Sequence, residues 1–85
     1  MLVLRFSKKA SKFLEKCDNK LYRKIIDKIK ELLVNPYPKD SSKVKGRKDN
    51  IQKIRIGGIR ILYAVIKNNN ELFIVDIDKR SRVYD

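Results

Sequence analysis

Residues 43–60, KVKGRKDNIQKIRIGGIR, hold seven of the chain's 22 Lys and Arg and only one of its 10 acids, Asp49, a local charge of +6 in eighteen residues. Side chains of this kind suit one chemistry above others, the grip of a polyanion. Guanidinium and ammonium groups donate charge-assisted hydrogen bonds to phosphate oxygens, Arg through a planar fork. The spacing makes the set more specific. Ile54 and Ile56 alternate with Lys53 and Arg55, and after Gly57-Gly58 the alternation resumes as Ile59, Arg60, Ile61, the pattern of a β-hairpin with a two-residue turn. Such a turn sets Ile56 opposite Ile59, Arg55 opposite Arg60 and Ile54 opposite Ile61. Like charges facing each other in a ladder destabilise it by a few tenths to about 1 kcal/mol. A face that keeps Lys53, Arg55 and Arg60 together is therefore expected to receive something anionic.

The rest of the composition narrows the partner and the chemistry. The chain has 85 residues, a formal net charge of +12 and no histidine, which points to nucleic acid or an acidic protein. A membrane partner is not expected. No apolar run approaches the roughly 20 residues of a spanning helix, and the apolar part of MLVLRFSKK is too short for a signal peptide. A single cysteine, Cys17, excludes an internal disulfide and fits a cytoplasmic location. Cys17 shares a helical face with Ala10, Phe13 and Leu14, so it reads as a small buried side chain. With no histidine and one cysteine a structural zinc site is excluded, the lack of histidine excludes a Ser-His-Asp or Cys-His catalytic set, and no metal or other cofactor is expected.

The elements that must position the basic residues follow from periodicity. Residues 2–6 read as a short apolar strand, and Ser7 as the N-cap of a helix with Ala10, Phe13, Leu14 and Cys17 on one face. Asp18-Asn19 breaks that helix. A second runs over about residues 20–34, with Leu21, Tyr22, Ile25, Ile26, Ile29, Leu32 and Leu33 at spacings of three and four, and Asn35-Pro36 stops it. A strand is expected to open within residues 43–46. Strands over residues 52–56, 59–66 and 72–78 then form a meander, with Asn68-Asn69-Asn70 as its second turn. A three-residue turn there pairs Tyr63 with Val75 and Arg60 with Asp78. Strict alternation places Ile54, Ile56, Ile59, Ile61, Tyr63, Val65, Phe73, Val75 and Ile77 under the helices. Lys53, Arg55, Arg60, Leu62, Ala64, Ile66, Leu72, Ile74, Asp76 and Asp78 are left on the other face. The fold class expected is α+β, one domain over residues 1–85: an N-terminal strand, an antiparallel two-helix hairpin, and a three- to four-stranded antiparallel meander with the helices on one face. The half-apolar open face would be covered by the first strand or by a second chain.

This order, with Lys43-Val-Lys-Gly46, Gln52-Lys-Ile-Arg-Ile56, Gly58-Ile-Arg-Ile-Leu-Tyr63 and Lys79-Arg-Ser-Arg-Val-Tyr84, resembles the RelE family, the toxins of RelBE-type toxin–antitoxin pairs. The resemblance covers nearly the whole chain. It implies a ribosome-dependent endoribonuclease that cuts messenger RNA in the A site and inhibits translation. The related ParE group, of the same fold, inhibits DNA gyrase, so fold alone leaves the activity open. A basic RNA- or ribosome-binding module without activity is a third reading.

Residue by residue, the resemblance places catalytic roles on Lys53, Arg55, Arg60, Arg80 and Tyr84, with Arg82 as the alternative to Arg80. Lys43, Lys45, Arg47, Lys48 and Arg82 are expected to bind RNA. Metal-free cleavage turns the RNA's own 2′-hydroxyl on the neighbouring phosphorus. It requires a proton acceptor, charge stabilisation at the phosphoryl oxygens and a proton donor for the departing 5′-oxygen. Without histidine the acceptor is Lys53 or Tyr84, while Arg60 and Arg80 suit the phosphate clamp. Tyr84 could also stack on a base. The partners implied are an acidic, RelB-like antitoxin, forming a hetero-oligomer with the chain, and the ribosome with its message.

Overall fold

Ser7 starts the helical layer and fixes its position on the sheet. In the computed structural model, which describes residues 1–46 and 50–79, strand β1 (Val3–Phe6) leads through Ser7 into helix α1 (Lys8–Lys16). The Ser7 hydroxyl caps that helix by accepting from the Ala10 N–H at 3.1 Å. Asp18 does the same for helix α2 (Asn19–Val34), accepting from the Leu21 N–H at 2.8 Å, and Asn35 ends it. Four strands follow: β2 (Ser41–Lys43), β3 (Gln52–Ile56), β4 (Ile59–Ile66) and β5 (Glu71–Lys79). Gly57 takes φ +56° in the two-residue turn between β3 and β4, a conformation that favours glycine.

The strands form one five-stranded mixed sheet in the order β1-β5-β4-β3-β2. The helices and one sheet face enclose the core, in which Ala10, Ile25, Ile29 and Leu32 meet Ile54, Ile59, Ile61, Tyr63, Leu72, Ile74 and Ile77. The Tyr63 ring is fully buried and its hydroxyl donates to the Pro36 carbonyl at 2.7 Å. Among the described residues no helix is long and apolar enough to cross a membrane.

The α+β class, the order of elements and the helices on one face agree with the sequence reading; several particulars differ. The first strand does not cover the open face but pairs in parallel with β5 at the sheet's edge. The short strand after the helices is Ser41–Lys43, earlier than residues 43–46. The turn after β4 spans four residues, a 3-10 turn at Lys67–Asn69 and Asn70 at φ +55°.

The register of β5 carries the largest correction. Arg60 pairs with Asp78 as expected, but Tyr63 pairs with Ile74 instead of Val75, because the ladder shifts by one residue between Leu62 and Tyr63. The extra residue on β5 is Val75. A bulge of this kind reverses which face the following side chains occupy. It lets Leu72, Ile74 and Ile77 all enter the core while Asp76 and Asp78 stay out of it. Phe73, expected under the helices, instead lies opposite Ala64 and Arg5, and the Arg5 guanidinium rests 5.8 Å from its ring centroid. Ser7 pins the irregularity: its N–H donates to the Ile74 carbonyl at 3.0 Å and its hydroxyl to the Val75 carbonyl at 2.7 Å.

Candidate nucleic-acid interface

The basic residues come together because β2, β3 and β4 are adjacent and in register. One row across the open face runs Ser42, Lys53, Leu62, Asp76, and the next runs Arg55, Arg60, Asp78. Arg55 and Arg60 do stand directly opposite each other. The side chains differ in exposure, Arg55 being exposed and Lys53 and Arg60 partly buried.

Beside these rows lies a cleft of about 530 Å³ lined by Ser42, Lys43, Val44, Lys45, Lys53, Arg60 and Leu62. Among the described residues four cations and no acid line it, so their fields add within a partly desolvated concavity. A smaller hollow of about 290 Å³ adjoins it through Ser42 and Lys53 and is lined also by Asp40, Ile54 and Arg55. Lys53 thus borders both. A larger depression, about 600 Å³, lies between α1 and the end of β5, over Phe13, Leu21 and Ile77. None of the described sequence-predicted site residues lines it, and the described lining of the cleft beside Lys53 matches anion binding.

Of the residues singled out from sequence, Lys43, Lys45, Lys53 and Arg60 share the cleft, and Arg55 borders the adjoining hollow. Arg47, Lys48, Arg80, Arg82 and Tyr84 lie outside the described residues. Ser42, Val44 and Leu62 also line the cleft and were missed. The signal for Ser42 and Leu62 was their position opposite Lys53, which becomes visible once the strand before β3 is placed correctly.

Beyond Asp40 in the smaller hollow, the described acids that border the basic rows lie along β5. Arg60 Nη2 approaches Asp78 Oδ2 at 3.7 Å, and Asp76 Oδ2 meets the Lys9 ammonium at 3.3 Å. Farther along β5, Arg5 pairs with Glu71 at 3.5 Å. The open face is therefore polar in a directional sense, basic over β2–β4 and acidic along β5. A nucleic-acid backbone is attracted to the first part and repelled from the second.

A mixed sheet of five strands carries two helices on one face and a cationic cleft on the other, and comparison with known proteins places this architecture. The profile of the family described as ParE toxin of type II toxin-antitoxin system, parDE, matches residues 4–84. The chain belongs to that family, within the RelE/ParE superfamily of type II toxins. Among solved structures, it is similar to the isolated E. coli RelE toxin, with a TM-score of 0.84 and 26% identity over 98% of this chain and 88% of that one. The toxin of the intact E. coli RelBE toxin–antitoxin complex aligns with a TM-score of 0.83 and 26% identity, over 96% of this chain and 100% of that one. The archaeal RelE–RelB complex from Pyrococcus horikoshii shares the fold, with a TM-score of 0.82 at 23% identity over 96% and 98% of the two chains. No curated protein sequence matches.

Proposed function

We propose that this toxin is a ribosome-dependent, metal-independent endoribonuclease that cuts messenger RNA in the A site and so inhibits translation in the cytoplasm. The observation that carries the reading is the cleft in which Lys43, Lys45, Lys53 and Arg60 converge, with no acid among the described residues that line it. In this mechanism the RNA 2′-hydroxyl loses its proton to Lys53 or Tyr84 and attacks the adjacent phosphorus. The bond to the 5′-oxygen breaks, that oxygen takes up a proton, and a 2′,3′-cyclic phosphate remains. Arg60 and Arg80 stabilise the charge on the phosphoryl oxygens. Arg55 adds positive charge beside them, and Lys43, Lys45, Arg47, Lys48 and Arg82 track the flanking backbone. Acid–base groups this weak leave alignment of the RNA to the ribosome, so free RNA is cut slowly or not at all.

The proposed antitoxin is acidic and RelB-like, as the RelBE complexes of similar toxins suggest, and forms a hetero-oligomer that covers the basic face. A second reading draws on the family description, which names ParE: inhibition of DNA gyrase without chemistry of the toxin's own. Mapping new 5′ ends on a message held by programmed ribosomes, beside a gyrase supercoiling assay, separates the two. The proposal expects breaks at the A-site codon and unaffected gyrase. Blocked supercoiling with an intact message establishes the second reading, and RNA binding without either effect leaves a non-catalytic module.

A further inference from the structure

Arg60 is held differently from the other cations of the cleft. Its Nη2 lies 3.7 Å from Asp78 Oδ2, well beyond the roughly 2.7–2.9 Å of a charge-assisted hydrogen bond. On the same guanidinium, Nε is buried and has no hydrogen-bond partner among the described residues. Nε and Nη2 form one edge of the group, the side-on fork that takes two oxygens of a carboxylate or phosphate. That edge is therefore turned toward an acceptor that fails to fill it. The two side chains also differ in their contact with water, 22% of Arg60 and 51% of Asp78 being exposed, so the acid is the partner more easily displaced. Asp76, the diagonal neighbour, is already engaged through Oδ2 with Lys9.

We propose that Asp78 is a positioning residue that stands in for the substrate's phosphate. It holds the Arg60 fork at the edge of the cleft while no RNA is bound, offsetting the repulsion from Arg55 across the ladder. It gives way when a phosphodiester oxygen pair takes Nε and Nη2. The proposal rests on the reading of the basic face as an RNA site, and it assigns to β5 a part in RNA affinity that the basic residues alone do not explain. A phosphate with two geminal oxygens fills both donors, whereas Asp78 reaches only one of them, and that at long range. The exchange has a cost, because the carboxylate competes with RNA for the same donors.

The test is the affinity of a fluorescent single-stranded RNA oligonucleotide, read by anisotropy at fixed low salt. Removing a competing, partly exposed ion pair is expected to tighten Kd roughly two- to fivefold in Asp78→Asn, while Asp78→Glu stays near wild type. In the Arg60→Ala background, Asp78→Asn is expected to tighten binding no more than the general loss of one negative charge does, as read from Asp27→Asn. Asp27→Asn, the same change of charge on the exposed side of α2, is expected to tighten binding less than Asp78→Asn does. An unchanged or weaker affinity of Asp78→Asn overturns the proposal, as does equal tightening in the Arg60→Ala background or in Asp27→Asn. Asp78→Ser, checked for folding by circular dichroism, provides the same comparison if the Asn variant unfolds. A wild-type chain that binds RNA but never cuts a ribosome-bound message refutes the endoribonuclease reading and leaves this proposal standing, and one that does not bind RNA refutes both.

Discussion

Replacing Ser7 tests whether the bulge in β5 keeps the charged and apolar residues of that strand on their proper faces. The Ser7 hydroxyl makes two bonds, accepting from the Ala10 N–H at 3.1 Å and donating to the Val75 carbonyl at 2.7 Å. Losing the cap costs about 1 kcal/mol. Losing a donor to a partly buried carbonyl costs about 1 kcal/mol more. Ser7→Ala is therefore expected to lose about 2 kcal/mol, which at roughly 4–8 °C per kcal/mol for a domain of this size lowers Tm by about 8–16 °C. Ser7→Asp separates the two bonds, since a carboxylate can still cap the helix but cannot donate to Val75; it is expected to lose about 1 kcal/mol. Ser7→Thr keeps both and stays near wild type. Continuing the register of the other half of the ladder past the bulge would pair Arg60 with Ile77 and Ile61 with Asp76, driving the acids toward the core. Loss of the bond should therefore speed amide hydrogen exchange near residues 74–78 before the rest of the sheet. The assay is thermal unfolding by circular dichroism with hydrogen exchange in parallel. Ser7→Asp as stable as wild type would show that the Val75 bond contributes nothing, and Ser7→Ala within about 0.5 kcal/mol of wild type would refute both terms.

Burial raises the pKa of the Tyr63 phenol, the Ser41 hydroxyl partly opposing the effect. A pKa raised by folding contributes stability that is fully present below the unfolded value, near 10, and is lost as pH rises through the folded value. Unfolding midpoints should thus fall at alkaline pH in wild type and fall less in Tyr63→Phe, which also loses about 1 kcal/mol at neutral pH with the bond to Pro36. Gly57→Ala, at φ +56° in open space, should cost about 1–2 kcal/mol through backbone strain alone, and Gly58→Ala under about 0.5 kcal/mol, both read from denaturant unfolding. RNA binding should weaken with salt at a log–log slope of roughly −4 to −5 if about six phosphates are neutralised; a slope near zero removes the electrostatic basis of the site.

The sequence made the hairpin around Gly57-Gly58 legible because the two runs alternate cleanly and the turn demands glycine, so the opposition of Arg55 and Arg60 followed from counting. Both helix caps were legible in part, with Ser7 and the Asp18 break standing where a side-chain oxygen must meet free N–H groups. Strand β5 was not, because ELFIVDIDK offers two alternating solutions. One buries Phe73, Val75 and Ile77, and the other Leu72 and Ile74 together with two acids. The bulge escapes the choice by burying Leu72, Ile74 and Ile77, and its support comes from Ser7, 68 residues away. No local pattern announces such a contact. The parallel pairing of β1 with β5 is likewise tertiary, since nothing in residues 3–6 distinguishes an edge strand from a covering one. Of the site, the charged rows were readable from alternation, whereas Ser42 and Leu62 entered only when β2 was placed.

Single-turnover cleavage of message on programmed ribosomes tests the proposed chemistry most directly, with ribosome affinity and folding measured for each variant. Arg60→Ala should slow cleavage by roughly 10²-fold or more, as when one donor that stabilises transition-state charge is lost, and Arg60→Lys should recover little because an ammonium lacks the fork. Lys53→Ala should lower the rate more than the affinity if Lys53 acts in the transition state. A folded, ribosome-bound Arg60→Ala variant that cuts at the wild-type rate would contradict the site drawn here.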